Sequence, residues 1–175
     1  MPIALMIAAW ALLSAAGASQ PLDELPNTGF EEVAEATGLP LGWNAYSRPN
    51  GAAYSLADAR TGVACAAIVD DSPQAAQGLR SDRVRIKPGV TYRASVWTKI
   101  LSGEAPGAAL YLEFWVGNQR IENYSKGVSE APDWTQISVE HIAPDGAETA
   151  TVLIYAASTT VVHSLFDDAA LQRVD

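Results

Sequence analysis

Turn chemistry constrains the fold of this chain more than any other feature. Apolar and polar residues alternate in short runs, and the runs are closed by Pro49-Asn50-Gly51, Lys87-Pro88-Gly89, Ala105-Pro106-Gly107 and Pro144-Asp145-Gly146. Proline presets a negative φ, and glycine supplies the positive φ that tight turns require. An apolar period of two leaves no stripe for an amphipathic helix beyond the N-terminal segment. The pattern predicts an all-β sandwich of two antiparallel sheets. Strands are expected over 28–33, 42–47, 62–69, 79–86, 90–101, 108–117, 134–142, 148–157 and 160–173, with short ones near 53–57 and 119–124.

Neighbours along a strand point to opposite sides, so parity assigns each side chain to a face. In TYRASVWTKI, Tyr92, Ala94, Val96 and Thr98 form a core side, while Arg93, Ser95, Trp97 and Lys99 form the other. In ALYLEFWVG, Leu110, Leu112, Phe114 and Val116 point inward and Tyr111, Glu113 and Trp115 outward. In ATVLIYA, Val152 and Ile154 face the core, which leaves Tyr155 outside with Thr151 and Leu153. If these three strands share a sheet, its outer face carries Trp97, Trp115, Tyr111 and Tyr155 among Arg93, Lys99 and Glu113. Aromatic planes stack on the C–H face of a sugar while polar groups take its hydroxyls. The expected partner is therefore a polysaccharide or oligosaccharide. The competing reading is a second, minor core covered by loops such as 41–61. Trp43 and Trp134 follow proline-containing turns and are expected to plug the ends of the sandwich; Cys65, in VACAAIV, reads as a small buried hydrophobe.

Two acidic pairs stand where strands should enter a core: Glu31-Glu32 in NTGFEEV and Asp167-Asp168 in FDDAAL. Alternation groups Asp167 with Leu165, Ala169 and Leu171, and Asp168 with Phe166 and Ala170. Whichever side faces in, at least one acid is partly buried, and a buried carboxylate needs a partner. Neither motif contains Lys or Arg. If the first and last strands are neighbours, a hard cation with oxygen ligands would neutralise the acids, and calcium suits that role. A solvated pair of chain ends is the other reading.

Residues 1–18, MPIALMIAAWALLSAAGA, carry no charged side chain and end in small residues, the pattern of a secretory signal peptide. The apolar run is shorter than the roughly 20 residues that span a bilayer. The expected product is secreted or periplasmic, free of the membrane after cleavage, with a lead at 19–26 and one domain over 27–175. Asp and Glu number 20 against 11 Lys and Arg, a net charge of −9 without a basic cluster. That balance argues against nucleic acid or an anionic membrane as partner.

NTGFEEV, LPLGW, ARTGVACAAI, VRIKPGVTYRASVWTK, DWTQISVEHIAPDGAETATVLIY and FDDAAL occur in this order. Over residues 27–173 the chain resembles the carbohydrate-binding modules of the family 4, 9, 16 and 22 type, in the galactose-binding-like superfamily. The resemblance implies a jelly-roll sandwich opened by Asn-x-Gly-Phe-Glu and closed by paired aspartates. It also implies a structural Ca2+ held by Glu31, Asp167 and the carbonyls of Gly29 and Thr61, and glycan binding where Trp97, Tyr111 and Trp115 fall. Ala169 departs from the larger apolar residue usual after the paired acids.

Candidates for catalysis are few. Alternation sends His163 and Ser164 to opposite faces, His141 stands alone, and Glu113 is the only acid among the aromatics. A glycosidase needs two carboxylates about 5–10 Å apart. The expected function is non-catalytic carbohydrate binding, with Trp97 and Trp115 as stacking platforms extended by Tyr111 and Tyr155. Arg93, Lys99 and Glu113 would bond the hydroxyls. The alternative is a structural or adhesive domain with a protein or cell-surface partner; a small glycan-active enzyme is the weaker one.

Overall fold

The computed structural model describes residues 23–46, 52–55, 58–74, 76–103, 107–156 and 161–174. The expected signal peptide, residues 19–22 of the lead, and the turns at 49–51 and 105–106 lie outside them. The described residues form no helix, and their strands are β1 (Trp43–Tyr46), β2 (Ala52–Ser55), β3 (Cys65–Asp70), β4 (Gln77–Ser81), β5 (Val84–Arg85), β6 (Thr91–Gly103), β7 (Ala108–Val116), β8 (Gln119–Val128), β9 (Thr135–Ile142), β10 (Thr149–Ala156) and β11 (Val162–Val174). One sheet runs β1-β4-β10-β7-β8, with β5 also on β10; the other runs β2-β3-β11-β6-β9. Every pairing between strands is antiparallel. The expected two-sheet sandwich is the architecture observed.

Inward parity is as read. Ala94, Val96 and Thr98 of β6, Leu110, Leu112 and Phe114 of β7, and Val152 and Ile154 of β10 are fully buried. They close on one core with Ile68, Leu79, Val162 and Phe166. Val116 differs: at the end of β7 it lies beyond the facing sheet and is exposed. Cys65 is buried.

The predicted strand at 28–33 does not form; only Val33 makes an isolated bridge, to Pro40. In NTGFEEV the apolar residues are three apart, which suits a turn rather than a strand. Asn27 fixes that turn: its side chain donates to Glu32 O and accepts from Glu32 N. Phe30 takes a positive φ of 56° and is fully buried against Trp43, with ring centroids 4.9 Å apart. The left-handed backbone costs about 1–2 kcal/mol, and burying a phenylalanine returns about 1.5–3 kcal/mol, so burial wins. Trp43 Nε1 donates to Pro26 O. This segment plugs one end of the sandwich with Trp43, whereas Trp134 remains half-buried.

The strand expected over 79–86 is broken. Leu153 pairs with Arg80 and Ala150 with Val84, so β4–β5 carries one more residue than β10 between those pairs. Ser81 Oγ accepts from Val152 N across the break. A similar irregularity in β8 places Phe114 opposite Glu122 but Trp115 opposite Arg120. A third, in β11, places Asp167 opposite Trp97 and Ala170 opposite Ser95. Each extra residue reverses the alternation beyond it.

Candidate functional site

Strand β6 belongs to one sheet and β7 and β10 to the other, which corrects the expectation of a single aromatic face. Trp97, Arg93 and Lys99 lie on the outside of the second sheet, and Trp115, Glu113, Tyr111 and Tyr155 on the outside of the first. The chain crosses between the sheets from β6 to β7, so these two consecutive strands share no outer face.

On the first sheet, register assembles rows across the strands. Asn44, Arg80, Leu153, Tyr111 and Ser125 form one, and Tyr46, Gly78, Tyr155 and Ala109 the next. Gly78 leaves a gap through which Tyr46 and Tyr155 meet edge to face at 5.7 Å, and Tyr155 meets Tyr111 likewise at 5.4 Å. A Cβ on Gly78 would come within 2.5 Å of Ile154 O. These three tyrosines form a continuous, half-buried aromatic ridge.

Beside the ridge lies a polar network. Glu113 has no accessible surface. Its Oε2 accepts from Arg80 Nε at 2.7 Å and from Thr151 Oγ1 at 2.9 Å, and its Oε1 accepts from Arg120 Nη1 at 2.5 Å and Arg80 Nη2 at 3.2 Å. Trp115 Nε1 donates to Thr151 Oγ1. Charge-assisted bonds of this kind satisfy a carboxylate that burial alone would neutralise. The hydrogen bond to Glu113, with a smaller contribution from Tyr46, holds the Arg120 guanidinium above its usual range despite desolvation. Trp115 is not an open platform: it is 8% exposed and lies 3.7 Å beneath the Arg83 guanidinium. Arg80 spans both halves, 4.6 Å over Tyr46 and 5.2 Å from the Trp115 ring.

Reading by parity missed Tyr46, Arg80, Arg83 and Arg120. Arg80 follows the alternation of β4, and its outward direction was available once Leu79 was placed in the core. Arg83 and Arg120 reach this face because of the extra residues in β4–β5 and β8, which no local pattern announces.

Across the molecule, Trp97 is half-buried under Arg60, 3.7 Å from its ring centroid. Arg93 pairs with Glu140 at the surface. Asp167 does not face the core with Leu171, as strict alternation suggests; it pairs with Trp97 and is fully buried on the outer side beneath the 60–63 loop. Its Oδ2 accepts from Arg60 N and Thr61 N, and its Oδ1 from Asp168 N. Burial pushes the Asp167 carboxyl above its usual range against those bonds. Asp168, with φ of 47° at the bulge, takes Arg60 Nη1 and Thr61 Oγ1. The cation absent from FDDAAL is thus Arg60, from a third segment, which pairs with Asp168. Glu31 accepts from Val63 N and Ala64 N of the same loop, and Ala169 N donates to Thr28 O.

The residues implied for calcium belong to segments that meet at this loop. Among the described residues no three Asp, Glu, His or Cys side chains converge as a metal cluster, so backbone carbonyls would have to complete the shell. A carboxylate offers about four lone-pair positions, and Asp167 uses three. Two carboxylates with carbonyls are the donors that a hard cation takes, so the set fits calcium in its chemistry.

No family model and no curated protein matches the sequence. Solved structures match the fold. A family 61 carbohydrate-binding module in complex with β-1,4-galactotriose is similar at a TM-score of 0.58 and 20% identity, over 87% of this chain and 99% of that one. The xylan-binding CBM22-1 domain of Paenibacillus barcinonensis Xyn10C is similar at 0.56 and 13%, over 90% and 99%. The enzymatically active domain of bacteriophage CBA120 tailspike protein 4 is similar at 0.66 and 11%, over 87% of this chain but 22% of that one. The chain has the jelly-roll β-sandwich fold of carbohydrate-binding modules.

Proposed function

We propose that the chain is an exported, non-catalytic glycan-binding module whose site is the outer face of the first sheet. The observation that carries this reading is the Tyr46–Tyr155–Tyr111 ridge beside the Glu113 network. Apolar ring faces next to fixed polar groups suit a sugar, which presents C–H on one side and hydroxyls at its edge. Tyr111, Tyr155 and Tyr46 would stack the rings, while Arg80 and Arg120, held in place by the buried Glu113, would take hydroxyls. Trp115 would act as the floor beneath Arg83. The fold shared with glycan-binding modules supports the class of ligand. Glu113 already holds two arginines, and among the described residues no second carboxylate joins this network, which speaks against a glycosidase pair.

In the same reading Glu31 and Asp167, with the carbonyls of Gly29 and Thr61, hold a structural calcium that fastens the 60–63 loop. Trp97 under Arg60 belongs to that loop's support. Export is checked by the N-terminal sequence of the mature protein, which should begin near Ser19.

The test is a glycan array followed by affinity electrophoresis with wild type and Tyr111→Ala/Tyr155→Ala. Wild type should be retarded by at least one polysaccharide and the double variant should lose about tenfold or more in affinity, since stacked aromatics each contribute about 0.5–1.5 kcal/mol beyond area burial. A double variant that binds as wild type would move the site elsewhere. Binding to a protein or cell surface without any glycan would favour an adhesive domain.

A further inference from the structure

An arginine of this face points beyond neutral sugars, an inference that rests on the glycan reading above. Arg80, Arg83 and Arg120 gather around one carboxylate, Glu113, and two of them share it. Arg83 has no ion-pair partner among the described residues; its Nη1 donates to Gly117 O and Thr149 Oγ1. The nearby acids do not pair with it: Glu148 accepts from Gly117 N, and Asp82 from Asn44. Desolvation and then Arg80 repulsion hold the Arg83 guanidinium below its usual range, with Glu113 opposing them more weakly. A chain of net charge −9 thus keeps one guanidinium without an ion-pair partner, among the described residues, at the edge of its aromatic ridge.

Guanidinium forks bind carboxylates and sulfates in a planar, two-pronged geometry, and the bonds strengthen where water is partly excluded. From Tyr155 to Thr149 the face runs for about 20 Å along β10, at roughly 3.3 Å per residue, so it is longer than a single sugar ring. We propose that it binds an acidic glycan, with sugar rings on the tyrosine end and an oxyanion against Arg83 and the open side of Arg80 at the Trp115 end. A uronate carboxylate and a sulfate ester share this chemistry.

Three probes distinguish the outcomes by titration calorimetry: polygalacturonate, the same polymer with its carboxyls reduced to alcohols, and a sulfated galactan. Wild type should bind an anionic polymer about tenfold or more tighter than the reduced one, the size of one charge-assisted hydrogen bond. The preference should shrink between about 20 and 200 mM salt. Arg83→Gln should abolish the preference while keeping affinity for the reduced polymer, and Arg83→Lys should restore part of it. Tightest binding to the sulfated galactan supports the oxyanion site and assigns it to sulfate. Equal affinity for the anionic and reduced polymers, or a preference that survives Arg83→Gln, overturns the proposal and leaves neutral glycan binding standing. Failure of every polysaccharide overturns both.

Discussion

Glu113→Ala is the substitution that weighs the buried network most directly. Removing one partner of a buried ion pair costs about 3–5 kcal/mol, because the other charge stays desolvated. The arginine side chains are 25% and 39% exposed, so each keeps some water, and Arg120 in particular can turn outward. That screening moves the expected loss to the low end, about 3 kcal/mol. Thr151 Oγ1 also loses its acceptor, which adds about 1 kcal/mol. For a domain of this size 1 kcal/mol shifts Tm by about 2–4 °C, so a fall of about 8–16 °C is expected. Urea denaturation followed by tryptophan fluorescence gives the free energy itself; at a slope of about 2 kcal/mol per molar, the midpoint should drop by about 2 M. Arg80→Leu/Glu113→Leu should recover much of the loss, since an apolar pair of similar volume is often as stable as a buried ion pair. A loss below about 1 kcal/mol for Glu113→Ala would refute the reasoning, because the arginines would then be solvated without their carboxylate.

Gly62→Ala should destabilise by about 2 kcal/mol or more in the same urea assay, from the left-handed backbone and the displaced carboxylate together: φ is +63°, and the new Cβ would lie 1.8 Å from Glu31 Oε1. Phe30→Ala should cost about 3–5 kcal/mol, and Phe30→Gly should cost no more despite removing another carbon, because glycine removes the strain of the positive φ. With chelator present, stability should rise as pH falls through the folded Asp167 pKa toward about 4, since burial raises that pKa above the unfolded value and the fold favours the proton. Calcium should raise Tm at neutral pH, and that gain should shrink over the same interval because proton and ion compete for one carboxylate; a melt unmoved by chelator at neutral pH would count against the metal.

Parity within a strand was legible because it is local: the inward residues of β6, β7 and β10 follow from alternation alone, and all three strands obey it. Which strands share a sheet was not, since the chain passes from one sheet to the other between β6 and β7 and no local residue records the crossing. Trp97 and Trp115 look alike in sequence, each flanked by polar neighbours, yet one supports the 60–63 loop and the other floors the arginine cluster. Three further errors share one origin. Arg83, Arg120 and Asp167 each adjoin an extra residue that reverses the alternation, and at each the side chain lands on an outer face by a single-residue shift. A bulge costs ladder bonds and twists its strand, so each must be offset by what it positions. The core uses these shifts: Val84 and Ile86, beyond the extra residue of β4–β5, and Ala169, within that of β11, face inward only because the alternation reverses there. In the first sheet the extra residues of β4–β5 and β8 also deliver Arg83 and Arg120 to the same side as Glu113, so the shift in β4–β5 serves the core and the outer network together.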